Sequence, residues 1–171
     1  MADHRDAMIQ EWADGLAERV SSAAGIPRQT IERELRLLFD VLIESVGPMR
    51  RSVNEVWYHA CEHYGRVGAT RGLAAGEVAE EIQYLRGILI RRMGPVLAGL
   101  RPRQAMAMIL RLNATLDKGI AVAVVGYTDA LVATLFAQNG VPAPDTALDA
   151  QDILKQLDQL EGELAVVVRH R

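Results

Sequence analysis

His59 and His63 stand four residues apart in the run His59-Ala60-Cys61-Glu62-His63. On a helix that spacing puts both imidazoles on one face, where they could hold a single metal ion or a haem iron. With Glu62 beside them, the chemistry would be that of a metal-dependent hydrolase. Such a site needs a third protein ligand, usually a glutamate on another helix, and an open pocket. Nothing in the sequence identifies that third ligand. The alternative is two half-buried histidines near the C-terminal end of a helix, where positive charge is favourable.

The order H-x-x-E-H is that of the inverted zinc-protease motif, although patterns this short also arise by chance. Cys61 is the single cysteine, so it cannot close an intrachain disulfide and reads as a small buried side chain. Asp117 and Asp129 interrupt an otherwise apolar stretch. They cap a packing face, pair with an arginine such as Arg66 or Arg71, or line a ligand pocket. No Ser/His/Asp or paired-carboxylate constellation can be placed from the sequence without a fold, and no phosphate-binding glycine loop is present.

The elements that must position these residues read as helices throughout. Met8, Trp12, Leu16 and Val20 recur every four residues over a first helix from Asp3 to about Ser22, with Asp3 and Asp6 suited to its N-terminal dipole. Gly25-Ile26-Pro27 ends it. Ile31, Leu35, Leu38, Leu42 and Val46 line a second helix from Arg28 to Val46, stopped by Gly47-Pro48. A third, from about Met49 to Tyr64, offers Val53, Val56, Trp57 and Ala60. The glycines of His63-Tyr64-Gly65-Arg66-Val67-Gly68-Ala69-Thr70-Arg71-Gly72 then break the chain, so that this run reads as a hinge.

Val78, Ile82, Leu85 and Leu89 form the stripe of a fourth helix, Ala74 to Met93, which Gly94-Pro95 must kink or end. The fifth, Arg103 to about Gln138, is the longest at ~50 Å, with weak points at Gly119 and Gly126 where a kink is expected. Its run from Ile120 to Phe136 is shorter than the ~20 apolar residues of a membrane span, and reads as a buried core helix. Asn139 to Pro144 is linker-like. Beyond it Ala150, Ile153, Leu157, Leu160, Leu164 and Val167 alternate by threes and fours. That is either the seam of a dimeric coiled coil or an amphipathic helix packed on its own domain.

With 171 residues, half of them apolar and only 5% aromatic, the chain suits one helix-on-helix domain. A net charge of −3 gives no electrostatic footprint for nucleic acid or an anionic membrane. The lone cysteine and the lack of a signal-peptide pattern point to the cytoplasm.

From about Ile31 to Leu131 the chain resembles the N-terminal sensor domain family of RsbRD-type RsbT co-antagonists. Relatives of that domain stand in front of bacterial histidine kinases and other signalling outputs. The family rhythm is a histidine-glycine pair, an arginine, a glycine, and a helix with a glutamate four residues before a Leu-Arg pair. Here His63 lies one residue off from Gly65, and Gly72, Glu81 and Leu85-Arg86 follow. Gly68 stands where the arginine is expected, between Arg66 and Arg71. Asp117 and Tyr127 repeat a later Asp-to-Tyr spacing of ten. The resemblance implies ligand-binding or packing roles for His63, Arg66, Arg71, Glu81, Arg86, Asp117 and Tyr127.

Leu164 to Arg171 is similar to the opening of a histidine-kinase phosphoacceptor box, which would make His170 the phosphoacceptor. Equally, it reads as a basic tail that suits the helix dipole. The glycine-rich ATP-binding boxes of a kinase are absent from these 171 residues. The expectation is therefore an all-α bundle of about five helices, four-helix-bundle or globin-like, plus a C-terminal coiled-coil signalling helix. Residues 1–138 would sense, 139–146 link, and 147–171 transmit and dimerise through Ile153, Leu157, Leu160, Leu164 and Val167. It would act as a cytoplasmic homodimer upstream of a kinase or other signalling output, without cofactor, nucleic acid or membrane. The rival readings are the hydrolase built on His59, Glu62 and His63, and a plain interaction scaffold.

Overall fold

The computed structural model describes residues 2–19, 26–46, 50–139 and 150–169. They form α1 (Ala2–Arg19), α2 (Arg28–Val46), α3 (Arg50–Thr70), α4 (Ala75–Ala98), α5 (Pro102–Gln138) and α6 (Ala150–Arg169), with no strand among the described residues. The chain is an all-α helical bundle. The expected stripes face inward: Trp12 and Leu16, Leu35, Leu38 and Leu42, Val53 and Trp57, and Val78, Ile82, Leu85 and Leu89 are all buried in one core. Val20, Gly25 and Gly47-Pro48 lie outside the described residues, as does the linker from Gly140 onward.

α3 is the central strut, packed against α2, α4, α5 and α6. It differs from the sequence expectation by running through Gly65 and Gly68 to Thr70. These glycines are not breaks, because each meets a neighbour that leaves no room for a side chain. A Cβ on Gly65 would lie 1.8 Å from the Ala123 carbonyl oxygen, and one on Gly68 2.5 Å from Val78. The turn comes at Gly72 alone, whose φ of 76° is the left-handed conformation that glycine adopts without strain. The Glu77 side chain accepts a 2.7 Å hydrogen bond from the Ala74 amide and so starts α4.

Two further expectations are narrowed and a third is corrected. α4 continues through Pro95 to Ala98, because Gly94, Pro95 and Val96 are exposed and solvent can serve the carbonyl that loses its donor. α5 is one uninterrupted helix, and Gly119 and Gly126 are contact points in it. A Cβ on Gly119 would lie 2.5 Å from the Trp57 ring, and one on Gly126 2.2 Å from the Glu62 carbonyl oxygen. Contacts advance together along both helices, from Trp57–Gly119 to Gly65–Ala123, so α3 and α5 run parallel with their backbones pressed close. Nor is α5 a buried core helix. Its buried residues are mostly small ones, and Val125, Val132, Leu135 and Phe136 face outward.

Candidate functional site

The deepest polar chemistry lies where α1, α3 and α4 meet. Arg71, at the end of α3, donates from Nη1 and Nη2 to the two carboxylate oxygens of Glu81 at 2.9 and 2.7 Å, and both residues are buried. Tyr64 Oη donates to the same carboxylate, and Trp12 Nε1 donates to the Glu81 main-chain oxygen at 2.9 Å. Burial works against the Arg71 charge, but its hydrogen bonds to Glu81 override it and hold the guanidinium protonated. Burial first, and the Glu81 charge second, push the Tyr64 hydroxyl well above its usual range. A buried pair with these extra partners fastens three helices and fixes their register.

Close enough for Arg71 and Glu81 to act on it electrostatically is a pair that is not satisfied in this way. Glu34 of α2 is 1% exposed, and neither of its carboxylate oxygens has a hydrogen-bond partner. Its Oε1 lies 3.6 Å from Nε2 of His63, which is also unpartnered. The approach is a neutral contact and not an ion pair. Burial pushes Glu34 up to about 8, against the pull of Arg71, and Glu81 adds to the rise. Burial likewise holds His63 down near 4, against its bond to Gln156 and with the help of Arg66. The other ring nitrogen, Nδ1, is 2.9 Å from the Gln156 side-chain oxygen on α6. That oxygen only accepts, so Nδ1 carries the proton and Nε2 turns its lone pair to the Glu34 acid.

His63 thus links the core to α6, which lies over α2 and α3. Ile153 and Leu157 are fully buried, Leu160 is buried, and Leu164 and Val167 pack partly buried against the same core. The residues expected to zip two copies together are therefore filled by the chain's own helices. Arg33 of α2 secures this docking, donating to both Glu161 oxygens at 2.8 and 2.7 Å and to Asp158 at 2.5 Å.

Beside the contact, α3 and α6 enclose an open cleft of about 300 Å³ lined by His59, Glu62, His63, Arg66, Gln156, Gln159, Leu160 and Glu163. The two histidines of the candidate metal motif do share this cleft, and each already has a partner among its lining residues. The exposed His59 approaches Glu163 at 3.3 Å, Glu62 pairs with Arg66, and His63 bonds Gln156 through Nδ1 while its Nε2 faces the buried Glu34. Among the described residues no group of three or more His, Cys, Asp or Glu side chains is placed to hold a metal ion. Cys61 is buried beside Gly119, and burial raises its thiol far above the usual range, which keeps it unreactive.

Comparison with family models gives a match over most of the chain. Residues 6–139 fit the model of the RsbT co-antagonist protein rsbRD N-terminal domain. The chain belongs to that family. No curated protein and no solved structure matches it. The family rhythm can now be read as fastenings of this bundle. Gly65 admits the α5 backbone, Arg71 holds Glu81, and Gly72 makes the turn between them. Arg86 pairs with Asp117 across α4 and α5, so the partner of Asp117 is neither Arg66 nor Arg71. Tyr127 packs half-buried on the core, while Asp129 is exposed.

What the sequence did not announce is Glu34. It looks like one more charge on the polar side of α2, and no spacing rule singles it out. His170 lies outside the described residues. The family membership makes this a regulatory signalling domain.

Proposed function

We propose that the chain is the cytoplasmic N-terminal sensing part of a bacterial signalling protein, with a histidine kinase as its output. In this reading residues 1–138 receive a ligand or partner, 139–146 link, and 147–171 carry the state onward. The observation that carries it is the docking of α6. This helix lies beyond the matched residues 6–139, yet it buries Ile153 and Leu157 in the core of the matched bundle and bonds His63 through Gln156. Because α6 is held by core residues of the bundle, a change inside the bundle would alter how firmly the exit helix is held, and release of α6 would be the second state that signalling requires.

The test uses the protein encoded by the whole gene. Leu157→Asp should release α6, and Arg33→Ala should loosen it more gently without burying a charge. Hydrogen exchange across residues 150–169 reports the release, and autophosphorylation with ATP reports the output. Both variants should shift the output at least severalfold from wild type. An output held at the wild-type level while α6 exchanges freely would overturn the proposal, as would an encoded protein without kinase activity.

A further inference from the structure

A second open groove, of about 300 Å³, lies between α3 and α5 and shares no residue with the α6 cleft. Asn54, Trp57 and Tyr58 line it from α3, and Arg111, Ala114, Thr115 and Lys118 from α5. The four α5 positions recur by threes and fours, so they share one helical face. Two cations line this groove, and no carboxylate does. The chain as a whole carries a net charge of −3, and several of its surface arginines are matched with acids. Arg33 meets Glu161, Arg86 meets Asp117, and Arg92 meets Glu11.

Arg111 and Lys118 have neutral partners instead. Arg111 donates from Nη1 to the Val46 main-chain oxygen at 3.3 Å, at the end of α2. That bond occupies one of the five N–H donors of a guanidinium. The Lys118 ammonium stands 5.7 Å from the centre of the Tyr58 ring. The walls of the groove are already fixed. Trp57 Nε1 donates to the Thr115 main-chain oxygen at 3.0 Å and so pins α3 to α5. Thr115 Oγ1 turns back to the Arg111 main-chain oxygen, which leaves the Asn54 amide and the Tyr58 hydroxyl as the neutral donors facing a ligand. Ala114 is small and exposed, and keeps the space between the two cations open.

We propose that this groove binds a small molecule carrying two oxyanion groups, one held by Arg111 and the other by Lys118. The site is separate from the α6 docking and stands independently of the signalling role. Charge selects the class: a cleft lined by one sign of charge gathers ions of the other. Spacing selects two groups over one. Arg111 and Lys118 are seven residues apart, about 10 Å along the helix axis, which sets two anion positions along the groove. The guanidinium takes a carboxylate or a phosphate through parallel N–H bonds, and the ammonium takes either as a point charge. The volume admits a molecule of small-metabolite size, with Trp57 and Tyr58 as the wall beside its linker. Dicarboxylates and diphosphates share this chemistry.

Isothermal titration calorimetry on the 171-residue chain at constant ionic strength, with succinate and with pyrophosphate, tests the proposal. At least one should bind once per chain with a Kd below about 1 mM. Binding of succinate alone makes the ligand a dicarboxylate, and binding of pyrophosphate alone a diphosphate. Arg111→Gln and Lys118→Gln, both at exposed positions, should each weaken binding about 10-fold or more at unchanged helicity. Should Arg111→Gln lose helicity with its bond to α2, Lys118→Gln decides alone. Lys155→Gln removes an exposed cation on α6 and should bind as wild type does. No saturable binding of either probe overturns the proposal. Binding that survives the loss of Lys118, or that falls equally in Lys155→Gln, is general attraction to the surface and overturns it as well.

Discussion

Arg71 and Glu81 close a two-fold hydrogen-bonded pair, at 2.7 and 2.9 Å, at the buried joint between α3 and α4. Both side chains are almost wholly out of water, and the carboxylate also takes the Tyr64 hydroxyl. Two buried charges of this kind gain little over an apolar pair of the same size, because desolvation offsets their attraction. What they give is register: ten residues and one left-handed glycine separate them, and only one turn geometry lets the fork meet the carboxylate.

Arg71→Met should therefore destabilise the bundle strongly, by about 3–5 kcal/mol, because it strands Glu81 as an unpaired buried charge. Arg71→Met combined with Glu81→Leu should recover a good part of that loss. Urea unfolding followed by circular dichroism measures all three proteins. Additive losses in the double variant would mean that the pair is not coupled.

The glycines of α3 and α5 make a second, opposed set of expectations. Gly65→Ala or Gly126→Ala puts a methyl within 1.8 or 2.2 Å of a backbone oxygen on the other helix, so the helices must part. A loss of about 1–3 kcal/mol or more is expected for each. Gly162 in α6 meets nothing within 4 Å, and Gly162→Ala should stabilise by about 0.5–1 kcal/mol through helix propensity alone. Thermal melts of the three variants give the sign directly.

Arg33 holds α6 through half-exposed carboxylates, and solvent screens such pairs. Arg33→Ala should shift global stability by no more than about 1 kcal/mol. It should nevertheless speed hydrogen exchange in residues 150–160, and 0.5 M salt should mimic it in the wild type. Equal exchange in variant and wild type would mean that the apolar contacts of α6 and the Gln156–His63 bond hold the helix without help from Arg33.

Much of the fold was legible because each inward stripe obeys the helical period: Val78, Ile82, Leu85 and Leu89 are all buried as their spacing demands. Glycine was misread for a physical reason. In sequence, Gly65, Gly119 and Gly126 look like weak points, since propensity is a local quantity. Their use is close approach between helices, which exists only in the folded chain. The same blindness made α5 look like a core helix, because hydropathy counts side chains and not the direction they face. The seam of α6 was legible as a seam, but its period alone could not tell a second copy from the chain's own α2 and α3. His63 was singled out by its spacing from His59, yet its contact is Glu34, 29 positions earlier and visible only in the packed structure.

That contact contributes a pH dependence to stability. In the folded chain Glu34 titrates near 8, above its ordinary 4.5, because burial penalises its charge. Between those values the folded state holds a proton that the unfolded state has released, so stability falls as pH rises. His63 acts in the opposite sense. Burial holds it near 4, below its ordinary 6.5, so between those values the unfolded state binds the extra proton and stability rises with pH. From about pH 4.5 to 6.5 the two slopes oppose each other. From 6.5 to 8 only Glu34 is left, and its share amounts to about 2 kcal/mol of lost stability. Glu34→Gln keeps the shape and removes the titration. Denaturant midpoints should therefore fall for wild type and stay level for Glu34→Gln between pH 6.5 and 8. At pH 8.5 the variant should be the more stable of the two. Parallel pH profiles for the two proteins would show that Glu34 is already ionised in the folded chain, and that the carboxyl facing His63 is not the neutral acid its surroundings require.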